Sequence, residues 1–208
     1  MKTNICKLNG EKKGFSKVLE EVDKCAAYNG LAEKQKLHLT LLAEEMIGML
    51  PELLKKYEGE FWIENDGEEY ELHAVVISAG YDREERENVL ALSKSGKNVA
   101  TVGFMGKIRA IADAMMLSLT EESGNTANSL MNSYMMELGM GYNMNLTYSS
   151  NWTLNHYKNT LKQKSEETKE QWDELEKSIV AKLADDVIVG VDGRKVDIVV
   201  KKTFKMVE

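Results

Sequence analysis

The chain has 208 residues, with 34 acidic against 27 basic side chains and a formal net charge of −7. That length suits one large domain able to bury a core and is cramped for two, and the interspersed acidic balance argues against nucleic acid as a partner. Cys6 and Cys25 stand apart from each other and from any His at ligand spacing, and no apolar run approaches a membrane span. The expectation is therefore a cytoplasmic chain with buried thiols, no disulfide framework, no metal centre and no membrane anchor.

A short strand is predicted around Asn4 to Leu8. Phe15, Val18, Leu19, Val22, Cys25 and Ala26 then recur at helical spacing up to a stop at Asn29-Gly30. A second helix from Glu33 presents Leu39, Leu42, Met46, Met49 and Leu53 on one stripe, with Pro51 forcing a kink or restart. Phe61 to Ile63, the turn residues Asn65-Asp66-Gly67 and the alternation of Tyr70, Leu72, Ala74 and Val76 with Glu69, Glu71 and His73 predict a hairpin with one buried face. Gly103 to Gly106 opens another helix. The stretch of about 118–164, rich in Met, Asn, Ser and Tyr and weakly periodic, reads as a helical insertion. Trp172, Leu175, Ile179 and Leu183 then share a helix face, and Val187 to Val191, Asp192-Gly193 and Lys195 to Phe204 predict a second hairpin.

The sharpest local feature is the acidic pair Glu44 and Glu45. Leu37, Leu41, Glu44 and Gly48 fall at i, i+4, i+7 and i+11, so Glu44 is expected to flank a leucine-rich face, partly desolvated and suited to general-base work, with Glu45 more solvated. The plain alternative is that both carboxylates edge the helix into water. The loop from Ser93 to Arg109, with Lys94, Lys97 and Lys107 before and within a helix start, has the composition of an anion site. It is no Walker A motif, because Ala91 and Asn98 stand where glycine and Ser or Thr are needed. His38, His73 and His156 lack companions at metal spacing. His73 and Glu71 share a sheet face. The methionines between Met131 and Met144 read as adaptable core or as a soft binding surface.

Taken together, the element order and three short segments resemble the GHKL, or histidine-kinase-like, ATPase superfamily, nearest to the anti-sigma-factor serine kinases. The N box falls on Glu44-Glu45-Met46-Ile47-Gly48, which puts Glu44 at the family's general base and Gly48 where an Asn holds magnesium. The D-x-G-x-G box falls on Ser78-Ala79-Gly80-Tyr81-Asp82, with Ser78 replacing the Asp that reads adenine. The last glycine box falls on Gly103-Phe104-Met105-Gly106. The resemblance implies a single domain over residues 1–208 with a Bergerat-like two-layer α/β (α+β) sandwich, a mixed, largely antiparallel sheet with helices on one face, and the insertion at about 118–164. It also implies ATP as cofactor, held by Ser78, Gly80, Lys94, Gly103, Gly106 and Lys107, with magnesium undermined by Gly48. Activity is at most that of a protein serine/threonine kinase or a weak ATPase, in a regulatory protein that acts on a protein partner or on itself. The alternative is a nucleotide-free protein-interaction module on the same fold.

Overall fold

A computed structural model of the chain describes residues 1–9, 12–53, 57–78, 150–163, 169–192 and 194–205. Elements are numbered within that set. Two long hairpins form the centre of the sheet. Strands β2 (Tyr57–Asp66) and β3 (Glu69–Ser78) pair without interruption from Tyr57 opposite Ser78 to Asp66 opposite Glu69. Their two-residue connection places Gly67 at φ 61°, a region glycine enters without steric cost. The turn thus begins later than the sequence signal, because Asn65 is buried within the strand and its amide donates to the carbonyls of Gly67 at 2.8 Å and Glu69 at 3.1 Å.

Strands β5 (Asp186–Asp192) and β6 (Lys195–Thr203) form the second hairpin, and β6 lies against β3 with Val200 opposite Leu72. Strand β1 (Cys6–Leu8) closes one edge and β4 (Ser150–Thr153) the other, giving the order β1-β2-β3-β6-β5-β4. All pairings among the described strands are antiparallel.

Helix α1 (Lys12–Tyr28) ends as the Asn29-Gly30 signal predicts. The Gly30 N–H reaches the Ala27 carbonyl at 3.2 Å, the Leu31 N–H reaches that of Ala26 at 3.0 Å, and Gly30 sits at φ 63°. Helix α2 (Glu33–Leu53) runs on through Pro51 rather than restarting there. Its buried stripe, Leu39, Leu42, Met46, Met49 and Leu50, anchors the helix up to the residue before the proline, so tertiary packing offsets the bond lost with the proline's missing N–H.

The C-terminal half departs further from the sequence pattern. Residues 150–163, assigned to an insertion, are integral to the fold: β4 runs straight into α3 (Leu154–Gln163), and Trp152, Leu154, Tyr157 and Leu161 are all buried in the core. A four-residue strand abutting a ten-residue helix changes period within a few positions, so neither pattern runs long enough to stand out. The rest of that stretch, 118–149 and 164, lies outside the described residues.

The single helix expected through Trp172 and Leu183 is two, α4 (Lys169–Lys177) and α5 (Ile179–Leu183). Ser178 breaks it by going extended (φ −75°, ψ 128°) and accepting a hydrogen bond from the Ala181 N–H at 3.2 Å. That is N-capping, and it replaces Ile179, 40% exposed, with Val180 and Ala181 as the buried pair.

One face of the sheet, represented by Phe61, Ile63, Leu72, Ala74, Ile198 and Val189, joins a single hydrophobic cluster with buried residues of α1 to α5. The architecture is therefore a two-layer α+β sandwich with the described helices on one face. Among the described residues no helix is long and apolar enough to cross a membrane.

Candidate functional site

The line Leu37, Leu41, Glu44 and Gly48 is the outer side of α2. Leu37 is 55% exposed, Glu44 and Gly48 are exposed, and Leu41 is half-buried. This reverses the expected solvation of the acidic pair, since Glu45 is the half-buried carboxylate and Glu44 the one in water. At about 100° per residue, Glu45 lies about 40° from Met49 and about 60° from Leu42 on the helical wheel, whereas Glu44 lies far from both. The leucines that made the Glu44 face look apolar are themselves turned outward. A Cβ built on Gly48 meets nothing within 4 Å, so packing does not demand glycine there.

Ser78 ends β3 directly opposite Tyr57. Tyr57 is 6% exposed, its hydroxyl has no hydrogen-bond partner among the described residues, and burial pushes its phenol pKa up. Leaving such a group unpaired costs about 1–3 kcal/mol. Sequence reasoning missed Tyr57 because an aromatic at a strand start looks like ordinary core; only the ladder reveals its neighbour. Glu44, on the side of α2 turned away from the sheet, is not directed at Ser78. Gly80, Lys94, Gly103, Gly106 and Lys107 lie outside the described residues. Among those described, no three His, Cys, Asp or Glu side chains are grouped to hold a metal ion.

The opposite sheet face has a different chemistry. Strand register aligns Trp62, His73, Val199, Ile188 and Thr153 in one row across five strands. Beside it run Glu64, Glu71, Lys201 and Asp186, extended by Lys2 opposite Glu64. On the other flank run Lys7, Glu60, Val75, Asp197 and Gly190, then Glu58, Ile77, Lys195 and Asp192. Asp66 and Glu69 end the hairpin on the same face.

Local contacts fix these side chains. The Trp62 and His73 rings stack at 4.9 Å and 4°, Trp62 Nε1 donates to Glu64 Oε1 at 2.8 Å, and Lys2 Nζ lies 4.2 Å over the indole. Lys201 Nζ donates to Glu71 Oε1 at 2.6 Å. His73 Nε2 lies 3.4 Å from Glu71 Oε2, as their shared face implies, and is buried with no hydrogen bond among the described residues. Asp197 Oδ1 is buried and unpaired as well, while its Oδ2 is 3.9 Å from Lys195 Nζ.

No protein-family model matches the chain, and comparison with curated proteins and with solved structures gives no match. The functional reading therefore rests on the chemistry of these residues and on the resemblance of the short segments.

Proposed function

We propose that the chain is a histidine-kinase-like ATP-binding regulatory domain with reduced catalytic equipment, working through a protein partner. One observation carries the reading: Tyr57, whose buried hydroxyl has no partner among the described residues, is the strand partner of Ser78, where the resemblance puts the adenine-reading group. A tyrosine hydroxyl, as donor and acceptor, suits the mixed donor and acceptor edge of a purine. The two-layer sandwich, with the Glu44 helix α2 in the layer on the sheet, gives the arrangement that the resemblance implies. ATP would supply the transferable phosphoryl group and Ser78 and Tyr57 would orient the base, while Glu44, exposed on the far side of α2, is out of reach of that position and supplies no base there. Gly48 offers no side chain to a magnesium ion, so binding outlasts turnover in this reading.

Thermal unfolding with ATP and magnesium tests it. The melting temperature rises with nucleotide concentration in the wild type, and the rise shrinks in Tyr57→Phe, while that variant without nucleotide is as stable as the wild type or more so, having lost an unsatisfied hydroxyl. No rise at millimolar nucleotide would remove the reading.

A second reading, a nucleotide-free interaction module, is favoured by the outward turn of Glu44, which joins Leu37 and Gly48 on an exposed ridge rather than facing Ser78. It requires the same titration to be flat.

A further inference from the structure

The sheet face away from the described helices concentrates the charge of the molecule. Its rows carry nine carboxylates (Glu58, Glu60, Glu64, Asp66, Glu69, Glu71, Asp186, Asp192 and Asp197) against the four lysines at positions 2, 7, 195 and 201. The difference, five negative charges, compares with −7 for the whole chain.

Each lysine is already ion-paired on the face, with Glu64, Glu60, Asp197 and Glu71 respectively. Glu58 and Asp192 at one end and Asp66 and Glu69 at the other have no lysine partner among the described residues and flank the row Trp62, His73, Val199 and Ile188, while Asp186 at the side accepts from the Asn155 and Val187 N–H groups at 3.0 and 2.9 Å. That row is half-buried. An apolar and aromatic stripe framed by uncompensated negative charge is complementary to an apolar stripe framed by positive charge.

We propose that this face docks a basic amphipathic helix of a partner protein. Four positions on strands about 4.8 Å apart make a row about 14 Å long, which the apolar residues of a helix with 5.4 Å pitch follow over three turns. Strand addition at the β1 edge is disfavoured: Lys2 opposes Glu64 whereas Cys6 opposes Phe61, so an extra residue bulges between them, and Lys2 and Lys7 line that edge. Anionic lipid and nucleic acid are repelled by the same carboxylates that attract the helix.

The test uses the full chain and two synthetic amphipathic peptides with one apolar stripe, flanked by lysine in one and by glutamate in the other, with binding read by anisotropy of a dye on the peptide. The lysine peptide binds, weakens at least tenfold as salt rises from about 0.05 to 0.5 M, and weakens similarly in Val199→Glu, while the glutamate peptide does not bind. Because Val199 sits in a central strand, the pair Glu58→Lys and Glu69→Lys, at exposed positions, provides a variant that keeps the fold and weakens binding several-fold. Equal binding of both peptides, no binding of the lysine peptide, or binding undiminished by the double charge reversal overturns the proposal. The nucleotide titration is read separately, so its outcome and this one are independent.

Discussion

The two faces of one sheet divide the molecule's chemistry between them. On the helix-covered face, Phe61, Leu72, Ala74 and Ile198 sit at 0% exposure in a continuous apolar cluster, and the buried Tyr57 hydroxyl has no hydrogen-bond partner among the described residues. On the other, neighbouring residues of the same strands, Trp62, His73 and Val199, are half-buried among ion pairs. Period-2 alternation in β2, β3 and β6 produces both surfaces from the same strands. The difference teaches that burial explains the fold and leaves the charged face unexplained by stability: its ion pairs are exposed and contribute little. The proposed helix docking would give such a face a role in contact rather than in folding.

Two tryptophans give the strongest test of that division. Trp152, at 0% exposure, is expected to cost about 3–5 kcal/mol when replaced by Ala in urea unfolding, and Trp62→Ala about 1 kcal/mol, the worth of its stack. Equal losses would break the division and would place Trp62 in the core. Next in size is Gly59→Ala on the covered face. A Cβ there would stand 2.5 Å from the Val75 carbonyl and 2.5 Å from Val76 Cγ1, so a backbone shift costing about 1–3 kcal/mol is expected, and an unchanged midpoint would show that β2 is looser than its ladder implies.

Acid sensitivity sharpens the comparison at the junction of α1 with the N-terminal segment. Glu21 is held below its ordinary carboxyl value by the hydrogen bond from Lys24, against the opposing effect of burial and with further help from Asn4. Its contribution is therefore present above the unfolded value near 4.5 and is lost as pH falls through the lower folded value. Glu21→Gln is expected to lower stability at neutral pH and to converge with the wild type in acid; parallel pH profiles would contradict this. The smallest effect is a gain. Gly48→Ala on the exposed ridge of α2 should stabilise by about 1 kcal/mol, since open space surrounds the new methyl group.

Much of the fold was legible because two-residue periodicity and glycine punctuation act locally. Gly30 and Gly67 both take the positive φ that their signals imply, and both hairpins form where alternation places them. What escaped depended on neighbours distant in sequence or on a cap hidden within a continuous apolar pattern. Trp152 and Tyr157 become core only because β4 pairs with β5, and Ser178 caps α5 where a continuous apolar stripe suggested one helix. Of the candidate site, the position of Ser78 at the end of β3 follows from the hairpin, and the shared face of His73 and Glu71 follows from the pleat. The orientation of Glu44 did not follow: Leu37 and Leu41 resemble a buried stripe in spacing, and only the packing of α2 shows which of its two apolar lines meets the sheet.

The division of labour between the faces is tested most directly by nucleotide-dependent melting of the wild type, Tyr57→Phe and the Glu58→Lys, Glu69→Lys pair in parallel. The account predicts a concentration-dependent rise with ATP and magnesium in the wild type, the same rise in the charge-reversed pair and a reduced one in Tyr57→Phe. A flat response of the wild type at millimolar nucleotide, or a response abolished by the charge reversals and untouched by Tyr57→Phe, would contradict it.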